Sequence, residues 1–94
     1  MNLRASVLVV DDDAEIRKTL SKILEKKGYL VETVESGEKA IEASDERFFN
    51  VALIDIRLPD MEGTELLEKL KKTMPEMVKI IVTGYPSYLS LCVR

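Results

Sequence analysis

Cysteine is almost absent: Cys92 is the single thiol among 94 residues. One thiol excludes an internal disulfide and any metal site built on several cysteines, and it suits a reducing cytoplasm. Proline and glycine are scarce too, at three and four residues, which excludes a disordered or linker-like chain. Long apolar runs are missing. The opening MNLRASVLVV meets its first acids early, and no later stretch approaches membrane-spanning length, so neither secretion nor membrane insertion is expected. A basic stripe is missing as well. The net charge is −3, and Arg17, Lys18, Lys26, Lys27, Lys69, Lys71 and Lys72 are interleaved with acids rather than aligned to track phosphates. These residues read as solvated helix faces, and nucleic acid is not expected as a direct ligand.

What is present is 46% hydrophobic and 33% charged residues in a chain long enough for one small core and not two. SVLVV, Ser6 to Val10, is a continuous apolar run that stops at Asp11, Asp12 and Asp13, the pattern of a strand buried on both faces. Ile16, Leu20, Ile23 and Leu24 then line one face of a helix that Gly28 ends. YLVETV, Tyr29 to Val34, is a second strand, with a turn at Ser36 and Gly37 and a helix over about Glu38 to Glu46 that turns Ala40, Ile41 and Ala43 inward. Val51 to Ile54 is a third strand ending on Asp55. After the loop IRLPDMEG comes a helix bearing Leu66, Leu67, Leu70 and Met74, terminated by Pro75. MVKIIVT, Met77 to Thr83, is the fourth strand. Strand and helix alternate with short connections, which predicts an α/β fold: a parallel sheet covered by helices on both faces.

In open sheets of this kind ligands bind at the carboxyl ends of the strands. Those ends deliver Asp11, Asp12 and Asp13 from the first strand, Asp55 from the third and Thr83 from the fourth. Carboxylates gathered on one edge repel one another unless a cation or protons intervene. Hard oxygen ligands suit magnesium, which is commonly held by one or two carboxylates beside a phosphoryl group. A competing reading makes Asp12 and Asp13 caps of the first helix, with Glu15 closing a capping box from Asp12. Capping accounts for Asp13. It does not account for Asp55, which is followed by a loop.

VLVVDDD, VALIDIRLPDMEG and KIIVTG, taken together over residues 6 to 84, resemble the receiver domain of two-component response regulators. The resemblance implies a three-layer, doubly wound, flavodoxin-like sheet with four strands in the order 2-1-3-4. It implies that Asp55 accepts a phosphoryl group from a sensor histidine kinase or phosphotransfer protein, with Mg2+ as cofactor. Asp12 would be the direct metal ligand, Asp11 would act mainly through water, and Asp55 and the backbone carbonyl of Arg57 would complete the protein's share. Thr83 would hydrogen-bond a phosphoryl oxygen and link phosphorylation to a loop rearrangement. Pro59 and Gly63 would shape the loop, the proline by restricting Leu58 and the glycine by permitting a sharp turn into the next helix.

The resemblance divides the chain into a receiver-like part, 1–84, and an atypical tail, 85–94, where the family's usual fifth strand with its lysine and its last helix would stand. Without that lysine, phosphoryl transfer is expected to be slower. Loss of those elements would leave the fourth strand as an open edge. YLSLCVR is expected to turn back antiparallel over that edge, to pack on a second molecule, which would give a homodimer, or to be a disordered end; a parallel return needs a longer crossover. Two further functional readings stay open. Asp11 and Asp13 form a D-x-D pair resembling haloacid-dehalogenase-like phosphatases, and a receiver-like module could bind a partner without being phosphorylated.

Overall fold

The computed structural model describes residues 4–82 and the backbone of Ser90–Val93. Along the chain run β1 (Ser6–Val10), α1 (Ala14–Lys26), β2 (Leu30–Val34), α2 (Gly37–Glu46), β3 (Val51–Asp55), α3 (Gly63–Thr73), β4 (Val78–Val82) and β5 (Ser90–Val93). They build one sheet in the order β2-β1-β3-β4-β5. The first four strands are parallel, in the expected order 2-1-3-4. The sheet does not stop there. β5 pairs antiparallel with β4, Val82 opposite Ser90 and Lys79 opposite Val93, so the outer edge of β4 is taken within the chain. Only residues 83–89 connect the two strands, a span too short for a parallel crossover and sufficient for an antiparallel return.

β1 lies inside the sheet, and Val7, Leu8, Val9 and Val10 are all buried. Alternation sends Leu8 and Val10 to one face, where they join Ala52, Ile54 and Ile81 from the neighbouring strands and Ala40, Ala43, Leu66, Leu67 and Leu70 from α2 and α3. Val7 and Val9 point to the α1 face. Cover is thinner here: α1 has no buried residue, and Ile16 and Ile23 of its apolar stripe remain 42% and 47% exposed.

The ends of α1 are fixed by local chemistry. Asp13 is its N-cap, accepting from the amides of Glu15 (2.9 Å) and Ile16 (3.3 Å). The capping box from Asp12 to Glu15 is not formed, because Asp13 and not Asp12 occupies the cap. At the other end Gly28 takes φ +96°, donating to Glu25 O while Tyr29 donates to Leu24 O. This is a Schellman closure that needs a left-handed residue. A Cβ at Gly28 would meet nothing within 4 Å, so any cost of Gly28→Ala is purely backbone strain. We expect a loss of about 1 kcal/mol, read as a lower urea midpoint at unchanged slope.

Among the described residues one charged side chain is buried within a strand. Lys79 is 0% exposed, and its Nζ donates to the carbonyl of Met74 at 2.6 Å. Met74 is the C-cap of α3. Helix ends carry unsatisfied carbonyls and partial negative charge, so a lysine from the adjacent strand is well placed there. Burial, with Lys71 nearby, pulls the Lys79 ammonium below its usual range.

Candidate functional site

β1 and β3 run in register, Val10 opposite Ile54, so the residues that follow, Asp11 and Asp55, emerge side by side. The register is fastened at the opposite end of the strands. Ser6 donates its amide to Asn50 Oδ1 (2.8 Å), and Asn50 donates its amide to Ser6 O (2.9 Å). Asp12 is next along the chain, and one carboxylate oxygen from each of Asp11, Asp12 and Asp55 can lie within 4.8 Å of the others. Asp11 is buried at 8% exposure, Asp55 half-buried and Asp12 exposed.

Each member is held by its surroundings. Asp11 Oδ1 accepts from the amide of Asp13 (2.9 Å), and Asp11 O accepts from Arg17 Nη1 (2.6 Å). Burial raises the Asp11 carboxyl above its ordinary 3.8; the Asp13 amide opposes this, and the charges of Asp55, Asp12 and Asp13 add to the rise. Burial likewise raises Asp55, opposed by the amides of Arg57 and Ile56 and reinforced by the charge of Asp12. The side-chain charges acting on both groups are all negative. Converging carboxylates, partly desolvated, form a donor set that fits a hard divalent ion such as Mg2+.

This crowding has a sign that can be tested. With their pKa values raised in the fold, Asp11 and Asp55 bind more protons folded than unfolded above pH 3.8. The metal-free protein therefore loses stability as pH rises from there through the raised values. Removing the Asp12 charge lowers both. We expect Asp12→Asn to flatten that slope and to stabilise the metal-free protein at neutral pH by about 1 kcal/mol, the scale of a close charge pair in water, because Asp12 is exposed. Thermal unfolding across pH in a chelator, with and without added Mg2+, checks it.

The loop after β3 is a closed hairpin. Gly63 donates its amide to Ile56 O (2.7 Å), Leu58 donates to Met61 O (3.1 Å), and Arg57 and Glu62 form an antiparallel bridge. Arg57 thus lies in the arm of the hairpin next to Asp55, with its side chain exposed. At the tip, Asp60 accepts from the amides of Gly37 and Glu38 at the start of α2, both at 2.9 Å. Those bonds hold its carboxyl below the usual carboxylate range.

Gly63 behaves differently from expectation. Its φ is not positive, so no left-handed turn requires glycine. What requires it is proximity: a Cβ there would overlap the carbonyl oxygen of Asp55 and lie 2.9 Å from Cα of Ile56. Thr83 falls outside the described residues; β4 reaches Val82, which pairs with Asp55 and so ends level with the cluster. The D-x-D pair is not assembled as such, because the Asp13 carboxylate is engaged at the start of α1. Arg17 and Asp60 take part in building the site without any local signal in the sequence. Their partners are the backbone atoms of Asp11 and of α2, which only the tertiary fold brings near.

Among the described residues no helix is long and apolar enough to cross a membrane. The family model described as the response regulator receiver domain matches residues 7–90. The response regulator receiver protein CpdR of Brucella abortus is 35% identical over 79 residues, covering 84% of this chain and 66% of that protein. A cyclic di-GMP phosphodiesterase of Thermotoga maritima is 40% identical over 80 residues, 85% of this chain and only 21% of that protein. Among solved structures, a CheY-like receiver domain protein from Methanospirillum hungatei superposes with a TM-score of 0.86 at 49% identity, over 92% of this chain and 69% of that one. The response regulator TrrA from Thermotoga maritima, solved with Mg2+-BeF, gives 0.82 at 31% identity, over 89% and 73%. The acidic cluster at the sheet's carboxyl edge, the order of the parallel strands and the family match along residues 7–90 agree, and the chain belongs to the response regulator receiver domain family.

Proposed function

We propose that Asp55 accepts a phosphoryl group from a sensor histidine kinase or a phosphotransfer protein, in a magnesium-dependent reaction of two-component signalling. The observation that carries this reading is the convergence of Asp11, Asp12 and Asp55 within 4.8 Å at the ends of adjacent strands. Two structural relatives support it: TrrA, solved with Mg2+-BeF, and a Burkholderia pseudomallei response regulator with a phosphorylated aspartic acid and a calcium ion, which is 27% identical with a TM-score of 0.81.

Asp11, Asp12, Asp55 and the backbone carbonyl of Arg57 would hold the ion. When bound, Mg2+ supplies charge neutralisation where an anionic nucleophile meets an anionic phosphoryl group. The protein's own part begins with an ionised Asp55, which the amides of Arg57 and Ile56 favour. A carboxylate oxygen attacks phosphorus in line, the bond from phosphorus to the donor imidazole breaks, and an acyl phosphate forms on Asp55. The hydroxyl of Thr83 is assigned to a phosphoryl oxygen of that product.

Incubation with Mg2+ and acetyl phosphate, followed by mass spectrometry, tests the reading. An acid-stable, base-labile label on Asp55 is the expected result. Label on Asp11 with turnover of phosphate esters would favour a phosphatase, and a folded protein that takes no label would leave a partner-binding module.

A further inference from the structure

Asp60 lies apart from the cluster and touches neither a metal ligand's side chain nor the reacting carboxylate. It does join two separate pieces of the fold. Its two carboxylate oxygens accept from consecutive amides, Gly37 by Oδ1 and Glu38 by Oδ2, each at 2.9 Å. The α2 N-cap role is already filled by Ser36, whose Oγ accepts from Lys39 at 3.2 Å. Asp60 is therefore a second, long-range acceptor for amides that the local cap leaves over. Beside it Met61 lies so close to Gly37 that a Cβ there would overlap its Sδ and lie 2.7 Å from its Cγ. The tip of the hairpin is thus fixed to α2 by a charge-assisted pair of hydrogen bonds and by close packing.

The base of the same hairpin carries the chemistry. The amides of Arg57 and Ile56 favour the charged form of the Asp55 carboxylate, the Ile56 amide also donates to Val82 O (3.3 Å), and the Gly63 amide closes the hairpin on Ile56 O. A tip free to move would let the amides that orient Asp55 move with it. We propose that Asp60 is a positioning residue: by tying the hairpin tip to the start of α2 it holds the backbone of Arg57 and the carboxylate of Asp55 in the arrangement that binds Mg2+ and takes up the phosphoryl group. This rests on the phosphoacceptor reading for its functional consequence, and on geometry alone for its structural one.

The test compares Asp60→Ala, Asp60→Asn and Ser36→Ala in the full chain. Ser36→Ala removes a cap from the same helix without touching the hairpin, so it controls for weakening of α2. Calorimetric titration with Mg2+ and the labelling rate with acetyl phosphate are expected to fall about tenfold in Asp60→Ala, the usual scale for a group supporting metal ligands, and less in Asp60→Asn, which keeps one acceptor oxygen. Ser36→Ala should stay near wild type in both. Amide hydrogen exchange provides an arm independent of phosphoryl chemistry. The amides of Leu58 and Gly63, which close the hairpin, should exchange faster in both Asp60 variants and not in Ser36→Ala. If wild type takes no label while exchange follows this pattern, the phosphoacceptor reading fails and the tie from Asp60 to the hairpin stands. Unchanged exchange at Leu58 and Gly63 in the Asp60 variants, or equal losses in Ser36→Ala, would overturn the proposal.

Discussion

Asp55→Asn is expected to take up no phosphoryl group from acetyl phosphate, with labelling reduced by at least about a thousandfold, in line with the loss of a nucleophile that acts as part of a unit. The amide oxygen of asparagine fills nearly the same volume and keeps the polar setting that the amides of Arg57 and Ile56 give this side chain. What it lacks is the negative charge and the nucleophilic lone pairs. The same substitution should also weaken Mg2+ binding, since one of the carboxylates in the cluster is gone. A second consequence runs in the other direction. Asp55 is a partly desolvated acid facing other acids, so the metal-free variant should be more stable than wild type, by about 0.5–2 kcal/mol as found when strain at functional sites is relieved. Loss of label with gain of stability cannot come from misfolding. Intact-mass spectrometry and urea unfolding in a chelator read the two effects on one sample. A labelled Asp55→Asn protein would show that the acceptor lies elsewhere in the cluster.

Gly63→Ala is the other change with a large expected effect, and it acts through backbone contact. The added methyl would overlap the Asp55 carbonyl oxygen and come within 3.0 Å of its carbonyl carbon and 2.9 Å of Ile56 Cα. None of these atoms belongs to a side chain that could swing away. The end of β3 or the start of α3 must shift, breaking the 2.7 Å bond from Gly63 N to Ile56 O. Overpacking against a fixed backbone costs about 3 kcal/mol, a large part of the stability of a small domain. Gly37→Ala offers a useful contrast. There the collision is with the flexible side chain of Met61, and a loss of about 1 kcal/mol is expected, since that side chain can adopt another rotamer. Urea midpoints for the two variants should separate clearly. Labelling of Asp55 should fall in Gly63→Ala even at temperatures where the variant is folded, because the displaced atoms belong to the acceptor residue itself. Near-wild-type stability in Gly63→Ala would mean that proximity is not what demands glycine.

Much of this architecture is written locally. VLVV and VALI are apolar on every residue because β1 and β3 lie between two neighbours and two layers, and both runs stop at an aspartate where the chain reaches the sheet's carboxyl edge. Gly28 closes α1 by a rule that involves only its own turn, and Pro75 follows the C-cap at Met74 for the same kind of reason. Asp11, Asp12 and Asp55 were therefore readable as a group from strand ends alone. Other features depend on distances between segments far apart in sequence. Asp60 looks like a turn residue after Pro59, and nothing near it announces the amides of Gly37 and Glu38. Lys79 looks like a solvent-facing interruption of KIIV until the end of α3 is placed over it. Gly63 was legible as necessary, with the wrong cause, since close approach to Asp55 depends on how the hairpin folds back. For the last strand, alternation in YLSLCVR suggested extended backbone, and the short connection excluded a parallel return.

The antiparallel sense of β5 has a directional consequence. The parallel strands all point toward the acidic edge, whereas β5 begins beside Val82 at that edge and runs back to Val93 beside Lys79 at the far one. A fluorophore or affinity handle joined after β5 would thus leave from the pole where Ser6 and Asn50 meet, away from Asp55. One joined to a parallel strand in the same place would leave beside the aspartates. A probe attached after β5 would stand at the opposite end of the sheet from the carboxylates, where it reports on the fold without touching their chemistry.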